Sequence, residues 1–123
     1  MNFEAILFDC DGVLADTERD GHLVAFNRMW REQGVHWQWT LAQYAEKLKI
    51  GGGKERLASL AKDDDFRAAY AVPDSEEAWL STVAGWHRRK SEIFKELVAA
   101  GALPGRPGVR RLATEALADG WLL

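Results

Sequence analysis

The alternation of apolar and polar positions predicts one short strand followed by a series of helices. Ala5–Phe8 is an unbroken apolar run, typical of a parallel strand that helices cover on both faces, and Gly12 ends it. Apolar residues then recur at helical spacing, which predicts helices over 18–33, 41–48, 54–61, 63–70, 76–100 and 108–119. In the last helix four residues are expected to face inward: Val109, Leu112, Ala116 and Leu117. Trp121–Leu123 has the character of a second strand.

Capping residues support several of these helix boundaries. Thr40 and Gln43 have the spacing of a capping box, in which each side chain accepts a hydrogen bond from the other's backbone N–H. Asp74 and Glu77 have the same spacing and predict the N-terminus of the long helix. Pro107 suits the first turn of the last helix, because its fixed φ fits a helix and its missing N–H is not needed there.

The order of elements indicates an α/β fold with a large helical insertion. The helices from about Glu18 to Lys90 form a bundle between the first strand and the remainder of the chain. A parallel sheet needs more strands than this sequence supplies. We therefore expect the chain to be the N-terminal part of a longer protein, with an α/β core that is incomplete here.

Composition narrows the class of protein. Of the 123 residues, 47% are hydrophobic and 28% are charged, which is typical of a soluble globular domain rather than a disordered chain. The net charge of −3 favours neither a nucleic-acid partner nor an anionic membrane, and no apolar stretch approaches the roughly 18 residues of a membrane span. Most of the tryptophans lie between Trp30 and Trp86, and we expect them to form the core of the helical bundle.

The single cysteine, Cys10, excludes an internal disulfide and fits a reducing, cytoplasmic compartment. It lies between Asp9 and Asp11, so in a regular strand its side chain points away from theirs. We therefore expect Cys10 to pack as a small hydrophobic residue.

Residues 8–18, FDCDGVLADTE, concentrate acids at the carboxyl end of the predicted strand. Asp9 and Asp11 share one face of that strand, and open α/β sheets bind ligands at the carboxyl ends of their strands. Mg²⁺ prefers carboxylates, water and phosphate oxygens, and it would cancel the repulsion between the two acids. The pattern suits an aspartate nucleophile with an acid–base partner, acting on a phosphate ester. The alternative is an exposed acidic strand end with no chemistry.

A second candidate region, LKIGGGKER, combines three glycines with basic side chains. Glycines expose backbone N–H groups and basic side chains supply positive charge, and both suit a phosphate, although no P-loop pattern is present. The candidates are Lys49, Gly51, Gly52, Gly53, Lys54 and Arg56. The alternative is a flexible loop between two helices with solvated basic side chains.

The acidic segment resembles a known motif. Asp9-Cys10-Asp11-Gly12-Val13-Leu14, after an apolar strand, is similar to motif I of the haloacid dehalogenase-like (HAD) phosphatases. Its continuation, Ala15-Asp16-Thr17-Glu18, resembles the subgroup that contains β-phosphoglucomutase, phosphoglycolate phosphatase and the CbbY-type phosphatases. The likeness to the CbbY type rests on four segments: DTERDGH (16–22), LKIGGGKERL (48–57), HRRKSEIF (87–94) and LPGRPGV (103–109).

This resemblance implies a Rossmann-like HAD core with an α-helical cap domain inserted after the first strand. Residues 1–16 would hold the first strand and the catalytic loop, 17–92 the cap, and 93–123 the return to the core, ending within the second strand. Asp9 would be the nucleophile and a Mg²⁺ ligand. Asp11 would be the general acid–base, and its backbone carbonyl would also bind Mg²⁺. This second aspartate favours phosphoryl transfer over dehalogenation.

The resemblance also implies which cap residues bind the substrate. The glycine–lysine loop would hold the second phosphate or the sugar, together with Lys90 in HRRKSEIF, for which the alternative is an exposed helix lysine. Glu18 would bind a sugar hydroxyl, or else act as an acid at a helix N-terminus. His22 is a further candidate, although many relatives carry this histidine four residues after the threonine, where this chain has Gly21.

The implied activity is Mg²⁺-dependent hydrolysis of a small phosphorylated sugar, such as xylulose 1,5-bisphosphate, by a monomeric cytoplasmic enzyme. The alternatives are a β-phosphoglucomutase-like phosphomutase, a phosphoglycolate-type phosphatase and a non-catalytic binding module. The family also uses a later Ser or Thr, a Lys and an acidic pair, none of which can be assigned in this sequence. We therefore expect the chain alone to be weakly active or inactive.

Overall fold

A computed structural model describes residues 4–123 and contains the helices that the sequence pattern predicts. The α-helices are α1 (Leu23–Glu32), α2 (Leu41–Lys47), α3 (Gly53–Ala58), α4 (Asp64–Ala69), α5 (Glu76–Ala99) and α6 (Val109–Ala118). A π-helical turn (Glu18–His22) leads directly into α1, and a 3-10 turn (Ser59–Lys62) follows α3. None of the helices among the described residues has the length and apolar character needed to cross a membrane.

The core of the helical part is built from aromatic side chains. Trp30 of α1 packs edge-on against Trp39, with 4.8 Å between the ring centroids, and against Trp86 of α5, with 6.3 Å between them. Edge-to-face contacts of this kind add to the gain from burial, because the positive ring edge meets the negative ring face. The expectation that the tryptophans form the core is confirmed for Trp30, Trp39, Trp79 and Trp86, which are all buried.

Local hydrogen bonds explain where α2 and α5 begin. The capping box of α2 is confirmed, since Gln43 N–H donates to Thr40 Oγ1 at 3.2 Å and Thr40 N–H donates to Gln43 Oε1 at 2.9 Å. The predicted cap of α5 is wrong by one residue. Ser75, not Asp74, caps this helix, and its Oγ accepts from Ala78 N–H at 3.3 Å. An N-cap oxygen must reach the N–H two or three residues later, and Ser75 is the last residue before the helix.

The predicted first strand is present only as a short parallel pairing. Ile6 N–H donates to Leu122 O at 2.8 Å and Leu122 N–H donates to Glu4 O at 3.0 Å, which forms a parallel bridge between Ala5 and Leu122. Among the described residues no longer strand is present, and Leu7 is 95% exposed. The expected burial on both faces is therefore wrong for this chain, because a single neighbouring segment cannot cover two faces of a strand.

Two further burial predictions fail for the same reason. Cys10 is exposed and does not pack as a small hydrophobic residue. On α6, Leu112 and Leu117 are exposed, whereas the predicted burial of Ala116 is confirmed and Val109 is half-buried. Both segments lie next to the short parallel pairing along the chain. The described residues form no extended sheet against which these side chains could pack.

The acidic loop is closed against the connection between α5 and α6. Gly12 has a φ of +77°, and its N–H donates to Ala15 O at 2.8 Å, which makes a tight turn. Arg106 holds this turn through two hydrogen bonds. Its backbone N–H donates to Leu14 O at 2.8 Å, and its Nη1 donates to Gly12 O at 2.6 Å. The loop that carries the acidic residues is therefore held from outside its own sequence.

Replacement of Ser75 by alanine tests the position of the α5 cap. Ser75→Ala should lower the free energy of unfolding by about 1 kcal/mol, because the first turn of α5 loses a side-chain acceptor. Asp74→Ala is the matched control and should change this free energy by less than about 0.5 kcal/mol, as at an ordinary surface position. Urea denaturation of both variants measures the difference. If Asp74→Ala lowers the free energy of unfolding more than Ser75→Ala does, Asp74 is the N-cap of α5, as the sequence pattern predicts.

Candidate active site

The acidic loop holds its two aspartates in different ways. Asp11 Oδ1 accepts a hydrogen bond from Thr17 Oγ1 at 2.5 Å, and Thr17 is buried although Asp11 is exposed. Asp9 is also exposed, and its Oδ1 accepts from the N–H of the next residue, Cys10, at 2.9 Å. Asp11 is thus oriented by the start of the helical part, while the hydrogen bond of Asp9 lies within the loop itself.

The π-helical turn brings Glu18 and His22 to the same loop. Leu23 N–H donates to Glu18 O, five residues back, which is the hydrogen bond of a π-helix. His22 Nε2 lies 3.9 Å from Asp11 Oδ1. Glu18 Oε2 accepts from the hydroxyl of Tyr44, a buried residue of α2, at 2.8 Å. Polar groups from the loop, the π-turn and α2 therefore form one continuous group.

Lys90 of α5 completes this group. It is only 6% exposed, so the alternative of an exposed helix lysine is wrong. Its Nζ lies 2.9 Å from His22 Nδ1, 4.6 Å from the centroid of the Phe26 ring and 5.6 Å from that of the Phe94 ring. Aromatic faces attract a cation, so these two rings offset part of the cost of burying the ammonium group.

Burial and neighbouring charges set the protonation of Lys90 and His22. Burial lowers the pKa of Lys90 to about 8, although the carboxylates of Glu18 and Asp11 act in the opposite direction. Burial, and after it the Lys90 cation, lowers the pKa of His22, so this imidazole is neutral at neutral pH. An ammonium group can only donate, so His22 Nδ1 is the acceptor and the ring proton resides on Nε2, toward Asp11.

Three of these side chains could hold a metal ion together. Asp11, Glu18 and His22 each offer a ligand atom, and these three atoms lie within 4.8 Å of one another. The two carboxylates supply the hard oxygen donors that Mg²⁺ prefers, whereas an imidazole nitrogen suits metals such as zinc better. The donors of this region therefore fit Mg²⁺ through their carboxylates, and the exposed carboxylate of Asp9 lies in the same loop.

The glycine–lysine segment joins this group only in part. Arg56 is half-buried, donates from Nε to Ile50 O at 2.9 Å, and has its guanidinium carbon 6.0 Å from the centroid of the Tyr44 ring. It therefore lies next to the tyrosine that holds Glu18. Lys49 is exposed and pairs with Glu46 at 2.6 Å, so its charge is already engaged on the surface.

The three glycines of this segment differ in their surroundings. A Cβ on Gly51 would meet no other group, and Gly52 has a φ of +89°, which favours glycine. A Cβ on Gly53 would lie 2.8 Å from His87 Nε2, so glycine permits the close approach of α3 to α5. Lys54 is exposed. Gly51 therefore faces open space, whereas Lys54 lines a surface cavity together with His87 of α5.

Two residues that organise the site are missing from the candidates that the sequence provides. Thr17 belongs to the quoted motif, but nothing in the pattern indicates its hydrogen bond to Asp11. Tyr44 lies within the helix predicted over 41–48, and the available signal is that a buried tyrosine hydroxyl needs a polar partner. That partner, Glu18, is 26 residues away along the chain, which no local pattern specifies.

Lys90 should make the stability of the fold depend on pH above neutrality. Its pKa in the folded chain is about 8, below the ordinary value of 10.5, so between these pH values the unfolded chain binds more protons than the folded chain. The free energy of unfolding should therefore rise between about pH 8 and about pH 10, by on the order of 2 kcal/mol.

Lys90→Met should remove this rise, because methionine fills a similar space and does not titrate. Lys95→Met, at an exposed position of the same helix, is the control and should keep it. Urea denaturation at the two ends of this pH range measures the effect. An equal rise in the parent chain and in Lys90→Met would contradict a buried lysine with a lowered pKa.

The chain is similar in sequence to proteins named CbbY, although no family model matches it. The CBBY-like protein of Arabidopsis thaliana is 42% identical over 116 residues, which are 94% of this chain and 36% of that protein. The plasmid protein CbbY of Cupriavidus necator is 42% identical over 113 residues, 92% of this chain and 42% of that protein. A haloacid dehalogenase-like hydrolase domain-containing protein of Arabidopsis thaliana is 30% identical and covers 97% of this chain and 41% of that protein. The chain thus spans less than half the length of these curated relatives.

The fold is similar to solved structures of CbbY from Rhodobacter sphaeroides. The complex of that protein with phosphate has a TM-score of 0.71 and 38% identity, covering 98% of this chain and 48% of that chain. A mutant in complex with xylulose-(1,5)bisphosphate has a TM-score of 0.70 and 38% identity, covering 97% of this chain and 48% of that chain. The likeness extends over nearly the whole chain and indicates a HAD-type fold. Over nearly its whole length the chain is therefore similar to CbbY proteins and to a haloacid dehalogenase-like hydrolase domain-containing protein.

Proposed function

We propose that this chain carries the catalytic loop and the substrate-recognition cap of a Mg²⁺-dependent phosphatase that acts on a small sugar phosphate. The observation that carries the proposal is a group of polar side chains that meets at the acidic loop: Asp11, Glu18, His22 and Lys90. A buried cation beside carboxylates and a neutral imidazole offers charge for a phosphate and hydrogen-bonding groups for a sugar. Rhodobacter sphaeroides CbbY in complex with phosphate and with xylulose-(1,5)bisphosphate supports this class of substrate.

The proposal includes the division of the chain into core and cap. Residues 1–16 belong to a Rossmann-like core, 17–92 form the cap, and 93–123 return to the core. The parallel pairing of Ala5 with Leu122 is consistent with two neighbouring strands of such a core. The contact of the π-turn with the acidic loop is consistent with a cap that begins beside the catalytic residues.

Asp9 is the proposed nucleophile. One of its carboxylate oxygens attacks phosphorus, the bond between phosphorus and the sugar oxygen breaks, and an aspartyl-phosphate forms on Asp9. Asp11 donates a proton to the departing sugar oxygen. Water then attacks the phosphorus of the aspartyl-phosphate and transfers a proton back to Asp11, which releases phosphate and restores the Asp9 carboxylate. The exposure of Asp9 leaves it accessible to a phosphate ester.

Thr17 and His22 suit Asp11 to this role. The Thr17 hydroxyl donates to Asp11 Oδ1 and leaves Oδ2 free to carry the transferred proton. His22 Nε2 lies 3.9 Å from the same Oδ1, so it also leaves Oδ2 unoccupied. Mg²⁺ bound by Asp9 and the backbone carbonyl of Asp11 would neutralise charge on the transferring phosphoryl group. This assignment, rather than the trio of Asp11, Glu18 and His22, leaves the Asp11 carboxylate for proton transfer and Glu18 for the sugar.

The remaining groups fit a sugar that carries a second phosphate. Tyr44 occupies Glu18 Oε2 and leaves Oε1 for a substrate hydroxyl. Lys90 Nζ is bonded to an imidazole rather than to a carboxylate, so a substrate phosphate would supply its counter-charge. Closure of the glycine–lysine loop over the substrate would bring the remaining candidates to that phosphate and exclude water: Lys49, Gly51, Gly52, Gly53, Lys54 and Arg56.

Replacement of the proposed nucleophile tests the function. Asp9→Asn removes the charged oxygen that attacks phosphorus, and it should reduce Mg²⁺-dependent phosphate release by roughly a thousandfold or more. The measurement is phosphate released from a panel of sugar phosphates that includes xylulose 1,5-bisphosphate, with and without Mg²⁺. The assay uses this chain and, in parallel, any longer product of the same reading frame.

Asp64→Asn, at an exposed position on α4, is the control and should leave phosphate release unchanged. Formation of an isomeric sugar phosphate in place of free phosphate would indicate a phosphomutase. Folded protein that releases no phosphate from any sugar of the panel, in the chain and in a longer product, would sink the phosphatase proposal and leave a binding role.

A further inference from the structure

The entry into α1 contains one residue more than an α-helical turn would hold. Asp20 N–H donates to Asp16 O, four residues back, whereas Leu23 N–H donates to Glu18 O, five residues back. The extra residue rotates the segment before the turn by about one residue position relative to α1, which is roughly 100° in an α-helix. If the same residues, with none removed, formed an uninterrupted α-helix, Glu18 would therefore be rotated away from Tyr44.

Gly21 is the residue of this turn whose backbone packs against the side chains of Phe94 and Leu103. It is buried, and a Cβ placed on it would lie 2.8 Å from Phe94 Cε2 and 2.9 Å from Leu103 Cδ1, closer than non-bonded carbon atoms approach. The same Phe94 ring is stacked on His22, with 4.1 Å between the ring centroids and 5° between the planes. A side chain at position 21 would therefore displace the ring that holds His22.

We propose that Gly21 is a positioning residue, which lets a π-turn with one residue in excess hold Glu18 and His22 together beside Asp11. The narrow space against Phe94 admits backbone without a side chain. The excess residue lets the turn enter that space while Glu18 keeps its bond to Tyr44. This placement follows from packing, and its importance for catalysis rests on the proposed function.

Two substitutions by alanine test the steric part of the proposal. Alanine normally stabilises a helix relative to glycine, and in Gly85→Ala the new Cβ meets nothing within 4 Å, so the urea midpoint should rise. Gly21→Ala should lower the midpoint. Stacking on Phe94 should shift the NMR signals of the His22 ring protons upfield, and Gly21→Ala should remove this shift. The signals of His22 are assigned as those that disappear from the spectrum of His22→Gln. A Gly21→Ala chain with a raised midpoint and unchanged His22 signals would overturn the proposal.

Deletion of Asp20 tests the extra residue. Asp20 is exposed, so its removal keeps Gly21 in place and should turn the π-turn into an α-helical turn with Glu18 still beside Tyr44. Tyr44→Phe should then lower the urea midpoint equally in the deletion variant and in the parent, because it removes the same hydrogen bond. Asp20→Ala, which keeps the residue and removes its side chain, is the control. If Tyr44→Phe has no effect in the deletion variant, Glu18 has rotated away and the proposal is wrong.

Neither measurement depends on turnover. Should Gly21→Ala fail to fold, the deletion variant still decides whether the turn holds an excess residue. If both expected results are obtained but neither the chain nor a longer product of the same reading frame releases phosphate, Gly21 remains a positioning residue and the proposed function is contradicted. If phosphate is released but both structural tests fail, only the role of Gly21 is contradicted and the proposed function stands.

Discussion

The packing of α1 against α5 is the interaction on which the rest of the structure depends. Trp30 and Trp86 join the two helices edge to face, and burial of such a ring stabilises a fold by about 2–3 kcal/mol. Helices as short as α2, α3 and α4 are not stable alone in water. They are ordered because each buries a side chain in the same cluster, Tyr44, Leu57 and Phe66 respectively.

The same packing assembles the charged group. Lys90 and Phe94 belong to α5, whereas His22 and Phe26 belong to the π-turn and α1, so their contacts exist only when the two helices are packed. Two aromatic faces and the nearby carboxylates of Glu18 and Asp11 partly offset the cost of burying the ammonium group, and its pKa still falls. A buried charge that lacks a direct counter-ion is typical of a site that is completed by a ligand. The polar group around Lys90 and the acidic loop are therefore proposed to serve one function.

Helix positions could be predicted because spacing and capping are local properties of the chain. The Thr40 capping box is confirmed for that reason. The cap of α5 was ambiguous in the sequence, since Asp74 and Ser75 are both capping residues and lie side by side. Burial was harder to predict, because it depends on neighbours that are distant along the chain. Leu7 reads as a buried strand residue, yet its segment has one pairing partner among the described residues and remains exposed.

The sequence by itself determined the helices, the acidic loop after the first extended segment and the residue types suited to phosphate chemistry, since each depends on order and spacing along the chain. Only the tertiary structure decided which of those residues meet. It joined Lys90 to His22 and left Lys49 on the surface, although both lysines are equally plausible in the sequence. The physical reason is that burial, hydrogen bonding and electrostatic interaction depend on distance in space, and here the packing of α1 against α5 sets those distances.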